Sequence, residues 1–179
     1  MTLAMGLEDT PVDSIEVTMT VPDAVEVVRN LSGRLTKPVG VGTVTDAAAV
    51  EAVVAAGAAF IVSPGLSSGV VEAALAVGVP VVPGALSPSE IMAAWDSGAT
   101  AVKVFPVSSL GGPEYIRMVR GPLPHIPLIV SGGISPGEVG AYLEAGAAAV
   151  SLGSSLVDSE TVATGDPEAV RREVLFRLT

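Results

Sequence analysis

Residues 139–153 read VGAYLEAGAAAVSLG: an apolar stretch at helical spacing, a glycine, a small residue, a short apolar run and a turn. The same unit recurs at 50–65 (VEAVVAAGAAFIVSPG), 71–84 (VEAALAVGVPVVPG) and 91–106 (IMAAWDSGATAVKVFP). Gly57, Gly78, Gly98 and Gly146 fall where each helix should stop, because glycine enters the left-handed region without a Cβ clash. Each run that follows is rich in Val, Ile and Ala and lacks strict alternation, as expected of a parallel strand whose outer face is covered. Thr45-Asp46, Ser67-Ser68, Ser87-Pro88 and Ser135-Pro136 supply N-cap oxygens at the helix starts.

Working outward, the pattern predicts strands near 14–18, 39–43, 59–63, 80–83, 101–105, 127–131 and 148–152. Helices are expected near 23–32, 46–56, 68–77, 88–97, 113–120, 136–145 and 167–177. Strand–helix repetition means a parallel α/β sheet, either a doubly wound sheet or a (β/α) barrel, that is, a TIM barrel. The near-constant unit length favours the TIM barrel. No linker, charge block or low-complexity tract divides the chain, so residues 1–179 are expected to form one domain.

Composition narrows the function. Hydrophobic residues are 49% of the chain and charged residues 16%, which excludes disorder. The uncharged stretch 52–71 is broken by Gly57, Pro64, Gly65 and Gly69, so it does not read as a membrane span. Residues 1–10 hold no basic residue and no long apolar run, which argues against a secretory leader; a cytoplasmic enzyme is expected. Nine Lys+Arg against nineteen Asp+Glu give a net charge of -10, which repels nucleic acid and anionic membranes. With no cysteine and one histidine, a Cys- or His-based metal site is not expected.

Function in such barrels gathers at the strand C-termini. Lys37 and Lys103 are the only lysines. Lys37 lies in a polar turn and is expected to be solvated. Lys103 lies inside an apolar strand. Burying an ammonium costs several kcal/mol or favours the free amine, the nucleophile that forms Schiff bases. A strand-end lysine that snorkels to water, or pairs with a carboxylate, is the plainer alternative. Ser14, Glu16 and Thr18 share one face of the first strand, opposite the apolar Ile15, Val17 and Met19, so Glu16 and Thr18 should point inward. Glu16 is placed to shuttle protons or to form an ion pair with Lys103. Ser131-Gly132-Gly133 and Gly153-Ser154-Ser155 end the last two strands, and their backbone N–H groups could hold a phosphate without arginine. His125 reads as a loop residue; Trp95 and Tyr142 read as packing residues.

At these residues the chain resembles the 2-keto-3-deoxy-6-phosphogluconate / 4-hydroxy-2-oxoglutarate aldolases. The matching stretches are 15–18 (IEVT), 41–44 (VGTV), 62–65 (VSPG), 82–84 (VPG), 102–106 (VKVFP), 131–134 (SGGI) and 152–156 (LGSSL). The resemblance implies a homotrimeric TIM barrel with no cofactor and no metal. It implies a class I lyase in which Lys103 forms the Schiff base and Glu16 is the general acid/base. Thr18, Thr43, Pro64 and Phe105 would line the keto-acid pocket. Ser131, Gly132, Gly133, Ser154 and Ser155 would receive the phosphate or the distal end of the substrate. The products would be pyruvate and an aldehyde.

Three departures accompany the resemblance. Only fifteen residues precede Glu16, too few for a strand and a βα crossover, so the first βα unit of the family is expected to be missing or replaced, leaving seven strands. Thr20 stands where the family usually has an arginine, and Ser131 where threonine is commoner. A non-catalytic or weakly active trimeric relative is the alternative reading. Another phosphate-binding barrel, an isomerase or synthase, is a third.

Overall fold

Eight short parallel strands run through residues 1–178, the residues that the computed structural model describes. They are β1 (Ile15–Thr18), β2 (Val39–Gly42), β3 (Ile61–Val62), β4 (Val81–Val82), β5 (Gly84–Ala85), β6 (Val102–Val104), β7 (Leu128–Ser131) and β8 (Ala149–Ser151). They pair in the order β1-β2-β3-β4 and β5-β6-β7-β8, and every pairing is parallel. Only Pro83 separates β4 from β5, so they form a single stave. Proline has no N–H to give to a ladder, and the pairing changes partner there. Thr100 N donates to Val81 O at 2.9 Å and Lys103 N to Pro83 O at 2.9 Å, so this stave bonds forward as well as back.

The helices are α1 (Thr2–Gly6), α2 (Ala24–Ser32), α3 (Ala48–Ala55), α4 (Ser68–Ala76), α5 (Pro88–Asp96), α6 (Pro113–Arg120), α7 (Val139–Glu144), α8 (Ser159–Ala163) and α9 (Pro167–Leu178). The helix expected over 136–145 starts instead as a 3-10 turn, Pro136–Glu138, and continues as α7. Ser135 caps that turn, with the Glu138 carboxylate reaching back to the Ser135 N–H at 2.8 Å. Ser87 makes the same capping box with Glu90 on α5. The four glycines at the helix ends all have positive φ: +100° at Gly57, +71° at Gly78, +94° at Gly98 and +99° at Gly146.

Outward strand residues such as Val41, Ile61, Val81, Val102, Val104, Leu128 and Val130 are buried under the helices. The opposite faces form a small central cluster of Val62, Val82, Ala101, Phe60 and Ile129. Gly40 has no Cβ because the ring of Phe60 fills that space. The result is a TIM-like α/β curve with its staves around a narrow lumen.

Among the described residues no backbone hydrogen bond joins β8 to β1, so these two edges are bare. Among the described residues no strand precedes β1. Helix α1 packs on α9, where a Cβ on Gly6 would lie 2.7 Å from Pro167 O. The segment after α1 passes under the start of β2. Glu8 Oε1 accepts from Thr36 N at 2.7 Å, and Lys37 Nζ donates to Thr10 O at 3.1 Å and to Val12 O. Lys37, expected to be solvated, is a strap for this segment.

Candidate active site

Lys103 lies in the middle of β6 between Val102 and Val104, which face the helices. Alternation therefore turns Lys103 into the lumen. It is 9% exposed and, with Ser63, is one of two buried polar or charged residues among those described. Its Nζ sits 5.0 Å from the centroid of the Phe105 ring, a cation–π distance. Glu16 enters the lumen from β1 and is half-buried. Its carboxylate lies over Gly42 of β2, where a Cβ would fall 2.6 Å from the Glu16 carboxyl carbon. Burial pushes the Glu16 carboxyl above its ordinary range, and the charge of Lys103 pulls it back in part. Glu16 and Lys103 form no salt bridge with each other or with any other described residue.

Thr18 shares the Glu16 face and pairs in register with Gly42. Its Oγ1 lies 2.7 Å from Thr20 Oγ1. Thr43 follows Gly42 with φ at +59°, a left-handed conformation that is strained for a β-branched residue. Pro64 follows β3, and its carbonyl packs on Gly84.

A cavity of about 400 Å³ opens at the C-terminal ends of β7 and β8. Phe105, Ser131, Gly132, Gly133, Ser154 and Ser155 line it, so the structure brings these candidates together. Phe105 borders both the lysine and this cavity. Gly132 and Gly133 have φ of +94° and +76°, and both are pressed against the segment that follows β6. A Cβ on Gly132 would lie 2.8 Å from Phe105 Cδ2 and 2.9 Å from Pro106 Cα. Ser155 Oγ donates to Ile134 O at 2.6 Å and so ties the two turns together. No lining residue is cationic. A second hollow of about 430 Å³, lined by Met19, Val21, Asp23 and Arg29 among others, holds none of the candidates.

The profile of the KDPG and KHG aldolases matches residues 1–173. The chain belongs to this aldolase family. It is 35% identical over 153 residues to the 2-dehydro-3-deoxy-phosphogluconate aldolase of Pseudoalteromonas atlantica, covering 85% of this chain and 71% of that one. It is 31% identical over 159 residues to the KHG/KDPG aldolase of Escherichia coli K12, covering 88% and 75%. Among solved structures, the KDPG aldolase from Legionella pneumophila, with pyruvate captured as a covalent carbinolamine intermediate, superposes with a TM-score of 0.89. That pair is 28% identical, and the match covers 99% of this chain and 87% of the other.

From the sequence alone Ser151 has no role, and Ser63 stands only as part of the Ser63-Pro64-Gly65 turn. Ser151 lines the distal cavity and faces Ser131 in register across β7 and β8; its placement follows from the pairing of two strands. Ser63 is 1% exposed beneath the Pro64 turn. Among the described residues no cluster of three or more His, Cys, Asp or Glu could hold a metal. No helix of the described residues is long and apolar enough to cross a membrane.

Proposed function

We propose that this aldolase cleaves a 2-keto-3-deoxy sugar acid, 2-keto-3-deoxy-6-phosphogluconate or 4-hydroxy-2-oxoglutarate, to pyruvate and an aldehyde through a lysine Schiff base. The observation that carries the reading is the buried Lys103 amine, which shares a lumen with Glu16 and is not tied up by it in an ion pair. An amine locked in a tight pair would have to leave it before adding to a ketone; Lys103 has no such partner within ion-pair distance among the described residues.

The Lys103 amine adds to the C2 ketone. The carbinolamine loses its hydroxyl as water, with the proton supplied by the Glu16 carboxyl, and the C2–N iminium forms. Glu16, now a carboxylate, takes the proton of the C4 hydroxyl. The C3–C4 bonding pair moves into the iminium, leaving an enamine and releasing the aldehyde. C3 then takes a proton back from Glu16, water adds to the iminium, and pyruvate leaves with Lys103 restored. A carboxyl whose protonated form is favoured by burial suits a group that alternates between acid and base in this sequence.

Thr18, Thr43, Pro64 and Phe105 would bound the pyruvate half. The distal half would lie against Ser131, Gly132, Gly133, Ser154 and Ser155, where glycine N–H groups and hydroxyls receive a phosphate or a carboxylate. The enzyme would act as a homotrimer in the cytoplasm, with the exposed Leu66, Leu86 and Met92 as apolar surface available to an interface between copies.

One observation favours weak turnover as the second reading. Six of the seven arginines are engaged on the helices, by salt bridges or, for Arg120, by the carbonyls of Leu123 and Ile126. The keto-acid carboxylate would then rest on hydroxyls such as those of Thr18 and Thr20.

Incubation with pyruvate, borohydride reduction and mass measurement of the tryptic peptide carrying Lys103 test the reading. A reduced pyruvyl adduct on Lys103 is expected, and Lys103→Ala should abolish both adduct and cleavage. No adduct on the parent protein overturns the proposal. An adduct without cleavage of either substrate selects the second reading.

A further inference from the structure

We infer that Ser63 is a positioning residue for the pyruvate half of the substrate, acting through the Pro64–Gly65 turn; the inference rests on the aldolase reading above. Ser63 ends the third stave at 1% exposure. Its backbone N–H donates to Val82 O at 3.2 Å, which fixes its main chain in the ladder. Its Oγ donates to Gly65 O at 2.8 Å, bridging the turn from below. A hydroxyl at that depth is unfavourable unless it is hydrogen-bonded, and an alanine would fill the space almost as well. What the hydroxyl adds is one orientation for the turn.

That turn is held from the other side by Gly84. A Cβ there would overlap the Pro64 carbonyl and lie 2.7 Å from Gly65 N, so the turn rests directly on the Gly84 backbone. Gly84 is the register partner of Lys103. The Pro64–Gly65 main chain is thus clamped between a hydroxyl and a bare Cα, and Gly84 carries the clamp to the stave next to the Schiff-base lysine. The clamp sets the wall against which the keto acid must lie for its C2 to meet Nζ. Proximity catalysis is sensitive to such placement.

The experiment follows adduct formation against pyruvate concentration by borohydride trapping, with thermal melts by circular dichroism on every variant. Ser63→Ala should raise the half-saturating pyruvate concentration about tenfold, the equivalent of one lost hydrogen bond, and leave the trapping rate at saturation much less changed. Gly84→Ala displaces the same turn from its opposite face and should show the same split. Ser63→Cys keeps the volume with a weaker donor and should fall between Ala and the parent; it carries the comparison if the Ala variant does not accumulate. Ser63→Ala, or Ser63→Cys in its place, that saturates like the parent while Gly84→Ala is impaired overturns the inference. So does a loss of adduct that merely tracks the loss of folded protein. A parent protein that traps no pyruvate overturns the aldolase reading instead, independently of Ser63.

Discussion

Gly42 and Glu16 compete for one space: a Cβ on Gly42 would lie 2.6 Å from the Glu16 carboxyl carbon and overlap its Oε1. The glycine is the seat of the proposed acid/base. Gly42→Ala should therefore displace the carboxylate while the strand, which continues through Val41 and Val39, stays paired. A displacement of about 1 Å at a reacting group costs about 100-fold. The expected result is a fall in kcat of that order with a Lys103 adduct still trappable by borohydride; an unchanged kcat would remove Glu16 from the reaction.

Glu16 also links stability to pH. Its carboxyl ionises at higher pH in the folded chain than in the unfolded one, first because it is buried, with Lys103 opposing in part. The folded state therefore holds more protons between the ordinary carboxylate value and the raised one, and stability is lost as pH rises through that window. Glu16→Gln removes the loss. The melting temperature of Glu16→Gln relative to the parent should climb as pH rises through the window and then level off; a constant difference would contradict the burial of this carboxyl.

Thr43 is held at φ +59°, where a β-branched side chain is strained. Asparagine tolerates that region better. Thr43→Asn should stabilise the fold by on the order of 1 kcal/mol while raising the pyruvate concentration needed for half-maximal trapping. Melting curves and trapping read the two effects separately. A variant less stable than the parent would mean that the Thr43 side chain contributes more to packing than its backbone strain costs.

Ser155 Oγ spends its proton on Ile134 O, joining the turns after β7 and β8. Ser155→Ala should cost about 1 kcal/mol of stability and should weaken cleavage of the phosphorylated substrate more than that of 4-hydroxy-2-oxoglutarate. Comparing KM for the two substrates decides this, since equal effects would mean that the tie matters only to the fold.

The repeats made the architecture legible. A glycine stop after each helical stretch marks where the chain turns, and the strand expected at 14–18 is realised as Ile15–Thr18. Lys103 was legible because a charge inside an apolar strand has few explanations. What stayed hidden depended on neighbours remote in the chain. Ser63 looks like an ordinary turn residue until the stave at 81–85 is laid beside it. Ser151 becomes a cavity residue only through its register with Ser131. Lys37 seemed free because its acceptors are carbonyls of a segment with no sequence signature, and the helix α8 and the 3-10 turn Val107–Leu110 are too short to leave a periodicity.

The bare edges of β1 and β8 carry a mechanical corollary. A ring of strands sets its radius by closing on itself, because stagger and tilt must agree around the circuit. An arc has no such condition, so its curvature has to be imposed by braces. Here the braces are α1 on α9, Glu8 on Thr36 and Lys37 on the carbonyls of Thr10 and Val12, the last two just before the starts of β1 and β2 and so away from the strand ends that carry the chemistry. The span between the carboxylate on the first stave and the amine four staves later is thereby tuned in part from the base, and loosening the Glu8 or Lys37 brace would detune a reaction that neither residue touches.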